Sequence, residues 1–183
     1  MAVKQFLVKE DSFIVSPYRG VFGNYQLGYV NFSICSNALS FGNLTVDNRR
    51  FLSACSDTIR GVFGGGSYFS TPYDISINTI KYITIATTGN ANNFGELTLS
   101  RSYLTSCSDS IRGIFAGGQS YISPNFYYYN TIDYVTITTT GNATYFGDLT
   151  GPRSELASCS NNIKGLFGGG YFFNGSEDIT YNL

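Results

Sequence analysis

The sequence predicts an all-β fold, a four-bladed β-propeller closed by an N-terminal strand. Three observations carry that expectation: a composition poor in helix formers, a repeat of about fifty residues, and an N-terminal segment that copies a piece the last repeat lacks. The 183 residues include 21 Gly, 15 Tyr and 15 Phe, with many Thr, Ser, Asn and Ile between them. β-branched and aromatic residues punctuated by glycine favour strands and turns over long helices.

Composition also excludes functions. Histidine and tryptophan are absent and the net charge is −1, from 11 Lys+Arg against 12 Asp+Glu. The usual general base and the commonest nitrogen ligand for metals are therefore missing, so no catalytic residue, no metal site and no cofactor is expected. Basic residues are scattered and matched by acids, which argues against a nucleic-acid partner. The longest apolar runs, such as Phe6-Leu7-Val8 and Phe13-Ile14-Val15, are far too short for a membrane helix, so no membrane insertion is expected. Residues 1–10 lack the apolar core and cleavage site of a signal peptide, which predicts synthesis in a cytoplasm without export.

The repeat is direct. Cys55-Ser56-Asp57-Thr58-Ile59-Arg60-Gly61-Val62-Phe63-Gly64-Gly65-Gly66 returns 52 residues later as Cys107 to Gly118, and after another 52 as Cys159 to Gly170. A shorter copy, Tyr18-Arg19-Gly20-Val21-Phe22-Gly23, lies 41 residues before the first of these. Phe41-Gly42-Asn43-Leu44-Thr45, Phe94-Gly95-Glu96-Leu97-Thr98 and Phe146-Gly147-Asp148-Leu149-Thr150 keep the same rhythm. One domain of four units follows, spanning about 9–46, 47–99, 100–150 and 151–183, with a closing strand at 3–8.

Each unit divides into four short strands, a to d. In the third unit these are Tyr103 to Ser106, Ile111 to Phe115, Ile132 to Ile137 and Tyr145 to Thr150, separated by turn residues. Asp178 to Leu183 reads as a strand c, leaving the fourth unit without strand d. Val3 to Ser16 lies over Phe146 to Cys159 without a gap, so Phe6-Leu7-Val8 is expected to supply that strand and close the ring. The alternative geometry inserts the same strand into a neighbouring chain, giving a strand-swapped homo-oligomer.

The double glycines Gly65-Gly66, Gly117-Gly118 and Gly169-Gly170, and the Leu97–Arg101 and Leu149–Arg153 spacings, resemble kelch-type propellers. More closely, Ile132 to Thr144, Phe146 to Thr150 and the Arg-Gly-hydrophobic-Phe-Gly-Gly-Gly run resemble the kelch-like repeats of tailed-phage virion proteins, the cyanophage-like ones included. Three units carry the likeness well and the first poorly. The resemblance implies a non-enzymatic viral structural protein of the virion, on a tail fibre, tail tip or capsid surface. Its partners would be other virion proteins and a host surface glycan or protein. A free lectin-like carbohydrate-binding module is the alternative.

Among candidate sites, Cys55, Cys107 and Cys159 repeat in register and are expected as small buried side chains, with Cys35 a lone reduced thiol. Arg49, Arg101 and Arg153 recur between units, and Arg60, Arg112 and Lys164 open each strand b. Repetition predicts structural work: capping carbonyls, or bridging Asp57, Asp109, Glu96 and Asp148 between units. The triple glycines lack the helix and Lys-Ser/Thr of a phosphate loop. The variable b-to-c connections are the binding candidates: Tyr68, Phe69 and Tyr73; Tyr121, Phe126, Tyr127, Tyr128 and Tyr129; Tyr171, Phe172 and Phe173. Such loops suit host recognition, packing against a neighbouring subunit, or folding back over the blades.

Overall fold

The computed structural model describes residues 19–33, 35–45, 48–161, 163–173 and 178–180. Within them the chain is all-β, without helix, and built of small antiparallel sheets. The first unit is a three-stranded meander, β1 (Arg19–Gly23), β2 (Gln26–Asn31) and β3 (Leu39–Asn43). A short β4 (Arg49–Arg50) leads to the second unit, with β5 (Ser53–Ser56), β6 (Arg60–Gly64), β7 (Ser67–Tyr68), β8 (Ile75–Ser76), β9 (Thr79–Thr84) and β10 (Asn92–Glu96). The third follows the same plan in β11 (Thr105–Ser108), β12 (Arg112–Ala116), β13 (Gln119–Ile122), β14 (Asn125–Tyr128), β15 (Thr131–Thr136) and β16 (Thr144–Asp148). The fourth has β17 (Ala157–Ser160), β18 (Gly165–Gly168), β19 (Tyr171–Phe173) and β20 (Asp178–Thr180).

The expected a-b-c-d order appears in the second and third units as β5-β6-β9-β10 and β11-β12-β15-β16, each within a residue or two of the sequence reading. Two expectations are corrected. The b-to-c connections are not plain loops: β7 pairs with β8, β13 with β14 and β19 with β20 as hairpins. Residues 178–180 are the second arm of such a hairpin, pairing with β19 rather than β18, so they are not a strand c. Register explains it, because 52 residues earlier the same place holds β14, not β15. Among the described residues the fourth unit thus has only two main strands, and no closed propeller ring forms. The proposed closing strand, Phe6 to Val8, lies outside the described residues.

Units join face to face, and alternation along each strand decides what they share. Phe63 and Ile83 point back to meet Leu27, Phe41 and Leu44 of the first unit. Val62, Ile80, Phe94 and Cys55 point forward to meet Leu104, Phe115, Val135 and Ile137 of the third. Polar links repeat at the same step: Ser108 Oγ donates to Ser56 O and Ser160 Oγ to Ser108 O, both at 2.8 Å. At the opposite margin Gly141 N and Ala143 N donate to Phe94 O and Glu96 O, as Gly89 N and Ala91 N do to Phe41 O and Asn43 O. These turns approach so closely that a Cβ on Gly42 or Gly95 would clash with the backbone of Gly89 or Gly141. That contact accounts for the recurrent Phe-Gly pair.

A third ladder runs through Phe51, Tyr103 and Glu155, which share a left-handed backbone at φ 56–57°. Tyr103 N donates to Phe51 O and Glu155 N to Tyr103 O, each at 2.9 Å, while the Phe51 and Tyr103 rings stack at 4.0 Å. The left-handed conformation costs roughly 1 kcal/mol per non-glycine residue, and the hydrogen bonds between units offset it.

Candidate functional site

The recurrent arginines take the structural part expected of them. Arg49 is fully buried and donates to Gly65 O and Thr79 O; Arg101 donates to Gly117 O at 3.0 Å and Thr131 O at 2.6 Å. Arg153 donates to Gly151 O, Gly169 O and Thr150 Oγ1. Carbonyl capping is thus met, and Arg60 adds to it on Thr138 O, whereas the alternative of acid bridges between units is corrected: Arg112 pairs with Asp109 at 2.9 Å inside its own turn. Asp57 and Asp109 cap their own turns through the amides of Ile59 and Arg60, and of Ile111 and Arg112. The acid that meets a buried arginine is Asp133, 2.9 Å from Arg101, with both side chains fully buried. Asp133 also accepts from the amide and hydroxyl of Thr98, so the pair sits in a hydrogen-bonded cage. In the second unit Lys81 occupies the matching place, and burial pulls the Arg49 guanidinium down to about 10.

Cys55 and Cys107 are buried, each roofed by a glycine of the next unit, Gly113 and Gly165. Cys159 is exposed, against expectation, because among the described residues no further unit covers it. Cys35 is exposed, and none of the four cysteines forms a disulfide. Among the described residues no cluster of three or more His, Cys, Asp or Glu could hold a metal ion.

The hairpins form a second tier of sheets beside the main ones. Each is extended by the linker that precedes its unit: β4 pairs with β7, and Ser102 and Ser154 bridge to Gln119 and Tyr171. The d-to-a and b-to-c connections therefore share one face. On it Tyr73 of the second unit lies 3.8 Å from Tyr121 of the third, and Phe126 closes the group at 5.6 Å from Tyr73 and 5.0 Å from Tyr121. Tyr128 meets Tyr171 and Phe172 of the fourth unit at 5.8 and 5.4 Å.

The predicted aromatics divide accordingly. Tyr68, Phe69, Tyr73, Phe126 and Tyr127 are exposed; Tyr121, Tyr128, Tyr129, Tyr171 and Phe172 are half-buried; Phe173 is described only by its backbone in β19. Phe69 stands apart from the tyrosine group, with the Arg50 guanidinium 5.2 Å over its ring. Tyr129 is held by a 2.7 Å bond between its hydroxyl and Ser120 Oγ.

Two clefts of about 350 and 280 Å³ open around the Tyr73–Tyr121 pair. Sequence reasoning missed their polar lining: Asp74 and Ser76 in both, Ser120 in the larger, Ser102 and Gln119 in the smaller. Asp74 is clamped by Arg50, whose Nε and Nη2 along one guanidinium edge each donate to one carboxylate oxygen, and it also accepts from Ser67 Oγ. The hydrogen bond from Arg50 holds its carboxyl below the usual range. The missed signal is the Pro72-Tyr73-Asp74 turn sequence itself, which marks a hairpin rather than an open loop. Rigid rings beside fixed hydroxyl, amide and carboxylate groups can stack on an apolar face while accepting and donating hydrogen bonds.

A scan against protein-family models and a search of curated proteins found no match to this chain.

Proposed function

We propose that the protein is a non-enzymatic structural component of a tailed-phage virion, displayed on a tail fibre, tail tip or capsid surface. Its aromatic hairpin face is the part that engages a host receptor or a neighbouring subunit. The observation that carries this reading is the Tyr73–Tyr121–Phe126 group and its two polar-lined clefts, formed where two rigid units meet. Aromatic rings with few side-chain degrees of freedom bind at low entropic cost, whether the partner is a sugar ring or a protein. The placement on a virion rests on the sequence resemblance to kelch-like phage repeats.

The architecture belonging to this reading is a four-bladed kelch-like propeller closed by the N-terminal strand, with a strand-swapped oligomer as its alternative. The a-b-c-d order of the complete units and the tight Phe51–Tyr103–Glu155 ladder support it. A free lectin-like module is the second functional reading, favoured by hydroxyl-bearing residues beside the stacked rings.

Two measurements separate these readings. A fixed copy number in purified particles supports the virion component, and absence from particles leaves the lectin. Binding to host cells and a glycan panel should fall at least tenfold in Phe126→Ala if the face recognises a receptor. No binding by either protein, with fixed copy number, assigns the face to subunit packing.

A further inference from the structure

We propose that the smaller of the two clefts is an aromatic box for a quaternary ammonium group, such as the trimethylammonium head of choline. The inference rests on the contact role proposed above for the hairpin face and names the ligand chemistry of that face. Four rings line this cleft: Tyr73, Tyr121 and Phe126, which pack on one another, and Tyr103. Tyr103 lies outside the variable connections and is a further binding residue. Its left-handed backbone, φ 56°, is one that a non-glycine residue holds only where its surroundings fix it, as ligand clamps do. Here the bond from Tyr103 N to Phe51 O and the 4.0 Å stack on the Phe51 ring do so, and the fourth ring is presented rigidly.

Charge points to a cation. Neither lysine nor arginine lines the cleft, whereas Asp74 does, and Glu155 is bonded to Tyr103 through the backbone. Burial raises the Tyr103 phenol above its ordinary value; the Glu155 and Asp74 charges add to that rise, and Arg50 opposes it less than either adds. The field at this ring is therefore net negative, and the negative ring faces reinforce it.

Hydrogen bonding decides which cation. Ser76 Oγ and Ser102 Oγ pair at 3.2 Å, and both reach Gln119 O, at 3.4 and 3.3 Å. Both Asp74 oxygens already accept from Arg50, and Gln119 Oε1 accepts from Ser154 Oγ. A sugar or a primary ammonium brings donors that need partners on desolvation. A quaternary ammonium brings charge and methyl groups but no donor, and rings alone hold it by cation–π attraction. Size agrees: about 280 Å³ is just below the roughly 300 Å³ at which sites for drug-sized ligands begin, so the cleft takes a head group rather than an extended chain.

The test is a titration of the full chain with choline chloride, against sodium chloride at matched ionic strength, followed by the amide signals of Ser76, Tyr103 and Gln119. Saturable shifts are expected at all three, and 3,3-dimethylbutanol, the same shape without the charge, should bind at least about tenfold more weakly. Tyr103→Leu should weaken choline binding at least about tenfold, and Tyr103→Phe, which keeps the ring, should restore it. Phe126→Leu removes an exposed ring at the rim and should weaken binding at least about fivefold, whether or not Tyr103→Leu folds. No saturable shift, or equal binding of 3,3-dimethylbutanol, overturns the proposal; tighter binding of butylammonium than of choline overturns it in favour of a primary amine. Binding to host cells or to the virion subunit is measured on the same preparation. If that binding is present and choline binding is not, the ligand class fails while the contact role stands; choline binding without either partner upholds the box and strikes the contact role.

Discussion

Phe94 and Phe146 occupy the same place in consecutive units, yet one is 4% exposed and the other 54%. Nothing in the residue or its own strand differs enough to account for this. Phe94 is roofed by strand c and the Gly141–Ala143 turn of the following unit, and nothing described does the same for Phe146. In a stacked array the forward face of each unit is made by its neighbour, so burial belongs to the joint rather than to the repeat. Cysteine repeats the lesson: Cys55 and Cys107 are roofed, Cys159 is not.

The largest effect should therefore separate two identical truncations. Phe94→Ala should cost about 4 kcal/mol by urea denaturation, and Phe146→Ala well under about 1 kcal/mol. Equal costs would mean that the third unit's forward face around Phe146 is covered in solution.

Next in size is the buried ion pair. Removing one partner of such a pair leaves an uncompensated charge, so Asp133→Ala should cost about 3 kcal/mol. Lys81→Ala, at the matching place in the second unit, should cost under about 0.5 kcal/mol, since among the described residues the Lys81 ammonium bonds to Asn93 on the surface.

Thiol labelling gives a sharper, smaller contrast. Cys35 and Cys159 should react with an uncharged thiol reagent at least about a hundredfold faster than Cys55 and Cys107, which must await opening of a joint.

The smallest effect is acid sensitivity of the hairpin face. Asp74 has its folded pKa lowered by the bond from Arg50, so its contribution is complete above the ordinary carboxylate pKa and is lost as pH falls through the lowered value. Asp74→Asn should remove that dependence from the β7–β8 hairpin, as followed by nuclear magnetic resonance between neutral pH and about pH 3.

Much of the main sheet was legible because repetition marks it. Strand order, the aromatic connections and the capping role of Arg49, Arg101 and Arg153 all follow from positions that recur every 52 residues. What repetition hides is whatever breaks it. Asp133 escaped notice because its counterpart is Lys81, so no recurring acid points to the buried pair. Residues 178–180 read as strand c because Asp-Ile-Thr-Tyr looks like the start of β15, whereas register places them on β14. The hairpins were hidden for another reason: β7 and β8 are two residues each, too short for an alternation to show.

The same contrast between a joined face and an open end supplies the most direct test of function. Tyr73 on the hairpin face and Tyr145 at the open end are both exposed, at 43% and 54%. Binding to host cells or to the adjoining virion subunit should be measured for Tyr73→Ala and Tyr145→Ala side by side. If the hairpin face is the contact surface, Tyr73→Ala weakens binding at least tenfold and Tyr145→Ala leaves it within about twofold. Loss confined to Tyr145→Ala would place the contact at the open end and contradict the assignment.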